Sequence, residues 1–148
     1  MSVFIFSNPP EIKGVYRAEV PADIKNKSAL TDALFEALQF PDYFGRNWDA
    51  LDECICDLSW LPPGDVILIH RDLPLSEDRA LLSVYLRILE RAVEKLSTTG
   101  SNLIFVSPEN WDATAERALL VKRKLLVVFP PNTQHVVYSV LAETEPRN

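Results

Sequence analysis

Four consecutive bulky apolar residues, Val66-Ile67-Leu68-Ile69, stand between a Pro62-Pro63-Gly64 stop with Asp65 and His70. Side chains of a strand alternate between its faces, so an unbroken apolar run must be covered on both. Such doubly covered strands belong to parallel sheets whose connections are helices. Leu103–Val106 repeats the signal. None of these runs approaches the roughly 20 residues that a bilayer-spanning helix needs. Ser76, Glu77 and Asp78 open the longest periodic stretch. Leu81, Val84, Tyr85, Ile88, Leu89, Ala92, Val93 and Leu96 recur at helical spacing, and Gly100 supplies a stop.

The remaining elements fit the same pattern. Val3–Phe6 reads as a short strand ended by Asn8-Pro9-Pro10, and Gly14–Val20 as another, ended by Pro21. Ser28 can cap a helix over Ala29–Gln39, with Leu30, Leu34 and Leu38 forming its apolar stripe. Phe40 to Gly45 breaks that helix, and Asn47 caps a second one running to about Leu58. From residue 14 the order is strand, helix, helix, strand, helix, strand. The expected class is α/β: a small, mainly parallel sheet covered by helices, with extra N-terminal and C-terminal strands. Beyond Pro108, Trp111–Leu120 fits a short helix or an irregular segment. Leu125–Phe129 and His135–Leu141 are expected as strands around Pro130-Pro131-Asn132, paired as a hairpin or added to a sheet edge. The 148 residues suit a single domain, and a hydrophobic share of 47% suffices for its core.

The formal net charge is -6, which argues against nucleic acid or an anionic membrane surface as partner. It permits a basic protein partner, and it also fits ordinary solubility. The first 13 residues lack the positive start and long apolar stretch of a secretory signal. Cys54 and Cys56 are the only cysteines and would point in different directions on a helix, so a reduced, cytoplasmic setting is expected. With only His70 and His135 beside them, no zinc spacing exists. Neither a metal nor another cofactor is expected.

Charge becomes informative in the segment Asn47–Leu58. At about 100° per residue, Ala50, Leu51, Cys54, Ile55 and Leu58 share one side, with Trp48 at its margin. Asp49, Asp52, Glu53 and Asp57 share the other, with Cys56 among them, and no lysine or arginine stands at the compensating spacings within the helix. Asp49 with Glu53, and Glu53 with Asp57, are like-charge pairs four residues apart, each costing about a few tenths of a kcal/mol. A sequence shaped for stability alone would intersperse cations. The concentrated field suits a cationic partner, whose association it would steer; a solvated face without a task is about as compatible with the charges. Ahead of the helix, Phe40, Tyr43 and Phe44 crowd a turn that holds Pro41 and Gly45, the latter open to positive φ. Rigid aromatic turns beside an acidic helix have the composition of a binding hot spot. Tyr43 reads as interface, Phe40 and Trp48 as core.

The stretch Phe40-Pro41-Asp42-Tyr43-Phe44-Gly45-Arg46-Asn47-Trp48-Asp49-Ala50-Leu51-Asp52-Glu53-Cys54 resembles the signature loop and second helix of the barstar family of intracellular ribonuclease inhibitors. The likeness covers roughly residues 14–107 and leaves 108–148 as an extension. It implies an inhibitor, or immunity protein, whose loop and helix plug the active site of a cationic toxin, a ribonuclease. Tyr43, Phe44, Arg46, Asn47, Asp49, Asp52, Glu53 and Asp57 would then face the partner, with Gly45, Trp48, Leu51 and Cys54 as scaffold. Glu53 takes the place of the principal anionic plug, although the family pattern has the shorter aspartate there. Asp52 replaces an aromatic contact, and Arg46 replaces an acid. These departures point to a target site that differs from the one the family pattern fits; a non-inhibitory interaction or regulatory module on the same fold is the alternative.

Enzymatic readings find little support. His70 closes a buried strand and reads as structural. No glycine-elbow serine, phosphate loop or HExxH pattern is present. Asp49 and Glu53 could form a hydrolytic carboxylate pair, but no sugar cleft accompanies them. Cys54 reads as core. Cys56, expected to be exposed, has acidic neighbours that do not favour a thiolate. The basic run Lys122-Arg123-Lys124 reads as a solvated cluster.

Overall fold

The computed structural model describes residues 4–41, 45, 47–62, 64–99 and 124–143. Four strands, β1 (Ile5–Phe6), β2 (Tyr16–Val20), β3 (Val66–His70) and β4 (Leu125–Phe129), form one sheet in the order β1-β4-β3-β2. All three pairings are parallel, with Tyr16 opposite Val66, Val66 opposite Leu125, and Ile5 opposite Val128. All five residues of β3 are buried, the outcome that its unbroken apolar run demands. The helices are α1 (Lys27–Ala37), α2 (Trp48–Ile55), α3 (Arg79–Thr99) and α4 (Gln134–Glu143), the last entered through a 3₁₀ turn at Pro131–Thr133. Leu30, Leu34, Leu51, Ile55, Leu82, Tyr85, Leu86 and Leu89 pack in one cluster with Val66, Leu68, Val127 and Phe129 of the sheet. Ile67, Ile69 and Val128 form a smaller cluster with Ile5, Val15 and Leu126.

Two sequence expectations change. His135–Leu141 is not a strand but lies in α4, with Val137 and Val140 buried three residues apart. Among the described residues the C-terminal part therefore adds one strand and one helix, and that strand sits inside the sheet. The cap of α1 is Asn26 rather than Ser28: its side chain accepts the Ala29 N–H at 2.8 Å, which starts the helix earlier. Asp78, one of the three residues expected to open α3, stands directly before it, its Oδ1 accepting the Leu81 N–H at 3.2 Å. Leu103–Val106, Trp111–Leu120, Gly100, Lys122 and Arg123 lie outside the described residues.

His70 joins three elements. A carbonyl can only accept, so Nδ1–H donates to Val128 O of β4 at 3.0 Å, and Nε2 accepts from the Tyr85 hydroxyl of α3 at 2.8 Å. The ring stacks on Phe129 with centroids 4.2 Å apart. Burial pushes its pKa down to about 4, partly opposed by the Val128 carbonyl. The imidazole is thus a neutral structural pin, in keeping with its place at the end of a covered strand.

Candidate functional site: an acidic helix and the turn that leads into it

The position of α2 follows from how α1 ends. Gln39 takes a left-handed backbone (φ 53), and the Phe40 N–H reaches back to Phe35 O at 3.0 Å. This closes α1 by a Schellman-type turn without the usual glycine. Tyr16 donates its hydroxyl to Ala37 O at 3.0 Å, and the Trp60 indole donates to Leu38 O at 2.9 Å. The end of α1 is thereby tied to the start of β2 and to the segment following α2. At the opposite end, the Lys27 ammonium sits 5.7 Å from the Trp48 ring centroid, so the two helices also begin side by side. Both run the same way.

Asn47 caps α2 as expected. Its backbone is extended (φ -130, ψ 172), and its side-chain oxygen accepts the Ala50 N–H at 2.7 Å. Gly45 serves a different purpose from the one its type suggested. Its φ is not in the left-handed region; instead, a Cβ there would lie 3.2 Å from the Asn47 side-chain nitrogen. Glycine at this position leaves room for the cap. Tyr43, Phe44 and Arg46 lie outside the described residues.

The helical projection holds. Leu51, Cys54 and Ile55 are buried, and Trp48 and Ala50 are partly buried against the same core. Asp49 and Glu53 are exposed, one turn apart on the opposite side. Among the described residues, neither carboxylate takes an ion pair or hydrogen bond. Asp52 and Asp57 are only half-exposed. Asp52 Oδ2 accepts from Nη1 of Arg91 on α3, and its Oδ1 lies 3.7 Å from the Cys56 sulfur. Compensation for the acidic face, absent within α2, therefore comes from a neighbouring helix. No periodicity of α2 could reveal that pairing, because the partner is 39 residues away on another element.

Cys56 is buried, against expectation, because α3 covers the side of α2 that it occupies. Burial pushes its thiol up to about 11, with Asp52 adding to the rise and Lys95 and Arg91 opposing it. The Cys54 thiol is raised too, by burial first and then by Asp57 and Glu53. Neither is disposed to act as a nucleophile near neutral pH. The described residues hold no group of three or more His, Cys, Asp or Glu that could bind a metal, and no helix long and apolar enough to cross a membrane.

Fold and site together define a small parallel α/β protein that offers carboxylates from a helix anchored in its core. The family profile described as "Barstar (barnase inhibitor)" matches residues 20–108, more than half of the sequence, and the chain belongs to that family. A protein of Bacillus subtilis (strain 168) named "Putative ribonuclease inhibitor YrdF" is 48% identical over 40 residues. That stretch amounts to 27% of this chain and 44% of the relative, so less than half of the relative's length is covered.

Proposed function

We propose that this chain is an inhibitor, an immunity protein of the cytoplasm, that binds and occludes the active site of a cationic ribonuclease with the segment 40–47 and α2. The observation that carries the reading is the exposure of Asp49 and Glu53, one turn apart, on a helix whose other side is locked into the core. A ribonuclease must hold RNA phosphates with cationic donors, and rigidly placed carboxylates can take the same donors through charge-assisted hydrogen bonds. Close charge pairs in such interfaces contribute about 1.5–7 kcal/mol, a range that comes from the barnase–barstar complex, this family's own pair. Tyr43, Phe44, Arg46, Asn47, Asp52 and Asp57 complete the proposed contact set, and Gly45, Trp48, Leu51 and Cys54 support it. On this reading the chain catalyses nothing, and the carboxylates act by occupying another protein's site.

The test pairs the chain with a small basic toxin encoded beside it, in a pulldown and an RNase-protection assay. Asp49→Ala and Glu53→Ala should each weaken binding by more than about 2 kcal/mol, and added salt should slow association. Unchanged affinity in both variants, with the fold intact by circular dichroism, would remove the site from consideration. The replacement of an aromatic contact by an Asp52 that is engaged within the chain favours a second reading, a non-inhibitory interaction module. Binding without protection of RNA would select it.

A further inference from the structure

The acidic face of α2 is not uniformly acidic once its neighbour is included. Arg91 of α3 delivers its guanidinium to Asp52, one residue from Glu53, while its side chain remains 58% exposed. The other oxygen of Asp52 lies 3.7 Å from the sulfur of the buried Cys56, which puts the ion pair at the seam between the two helices. An ion pair this exposed contributes little to stability. Its consequence lies in what the surface presents: two outward carboxylates, Asp49 and Glu53, with a permanently charged guanidinium at their α3 side.

We infer that Arg91, docked by Asp52, is a specificity-determining residue of this face. It turns away partners whose matching surface is cationic throughout, and it admits a ribonuclease that places an acceptor, such as a carboxylate general base, beside its phosphate-holding cations. The inference rests on the inhibitor reading above. Discrimination between similar partners commonly needs a repulsive element as well as attractive ones, and like charges brought together at an interface are strongly disfavoured. A guanidinium suits the role because it stays charged and carries five donors, of which Asp52 is seen to take one. Asp52, which reads from sequence as a partner contact, becomes a positioning residue that holds Arg91 at the edge of the face.

The experiment uses a hexaarginine peptide as an all-cationic probe, titrated into the full chain at low salt and followed by amide chemical shifts and calorimetry. Arg91→Ala removes the repulsion and frees the Asp52 carboxylate, so affinity should rise at least threefold, with the shifts centred on Asp49 and Glu53. Arg91→Lys keeps the charge and should match the wild type. Arg79→Ala is the control: it removes the same charge from α3 and frees Glu143, its partner on α4, and should change affinity much less. Equal gains from Arg91→Ala and Arg79→Ala, or no gain from Arg91→Ala, would overturn the inference. The double variant Asp49→Asn, Glu53→Gln separates it from the reading beneath it. If that variant still binds the peptide normally, the inhibitory face itself is misplaced; if it does not, a failure of Arg91→Ala falls on this inference alone.

Discussion

His70 shows how much one buried side chain can govern. It is neutral in the fold, with a pKa of about 4 against 6.5 for a free imidazole. Between those two values the unfolded chain binds a proton that the folded one refuses. Stability therefore falls as pH drops from about 6.5 to about 4, by about 3 kcal/mol, and this contribution is fully present above that window. Urea midpoints measured across pH for the wild type and for His70→Gln, which cannot titrate, should diverge in slope within the window. Parallel profiles would contradict the assigned burial. The same contacts explain why the role of His70 was legible beforehand: a histidine closing an all-apolar strand has carbonyls and core side chains for company. Its particular partners, Val128 O and the Tyr85 hydroxyl, depend on which strand lies alongside, and that is long-range information.

At the scale of elements, α2 was the most readable part of the chain, because two independent signals agreed. Asn47 offered a cap, and the apolar and acidic residues separated at helical spacing. Asn47→Ala should fray the first turn, where Asp49 sits, lowering stability by about 1 kcal/mol and weakening partner binding as well. Chemical denaturation checks the first effect and surface plasmon resonance the second; a variant of unchanged stability would show that the cap is dispensable. α4 was misread because His135–Leu141 is rich in valine, which favours strands when nothing else decides. Packing against α3 decided otherwise: Arg79 pairs with Glu143 and bonds Ser139, and Arg87 donates to Leu141 O. The start of α1 was misplaced for a milder reason. Ser28 and Asn26 are both competent caps, and it is the Asn26 side chain that takes the Ala29 N–H. Gly45 shows the limit of reading by residue type, since its conformational freedom was evident in the sequence and the crowding by Asn47 was not.

For the molecule as a whole, the informative point is where β4 lies. The family match ends at residue 108, yet Leu125–Phe129 occupies an inner position in the sheet, between β1 and β3. It supplies both the carbonyl and the ring that hold His70. A chain cut after residue 108 would lose one ladder of β3, all pairing of β1 and the packing of α4 on α3. Such a truncation should show no cooperative urea transition and no near-ultraviolet circular dichroism, whereas a sharp transition at the wild-type midpoint would mean that the extension is an accessory. Sequence patterning identified every described strand, but not the order in which they lie, because an apolar run carries no record of its neighbour.

That order has a consequence during synthesis. β1 is made first, and its partner β4 lies some 120 residues further on. At the roughly 5–20 residues per second of a translating ribosome, the sheet stays incomplete for about 6–24 s after β1 emerges. For more than half of that interval α2 has already been made while the sheet still lacks an inner strand. On the inhibitor reading proposed above, the copies able to bind are those whose translation has passed β4, so binding capacity follows finished chains and not nascent ones.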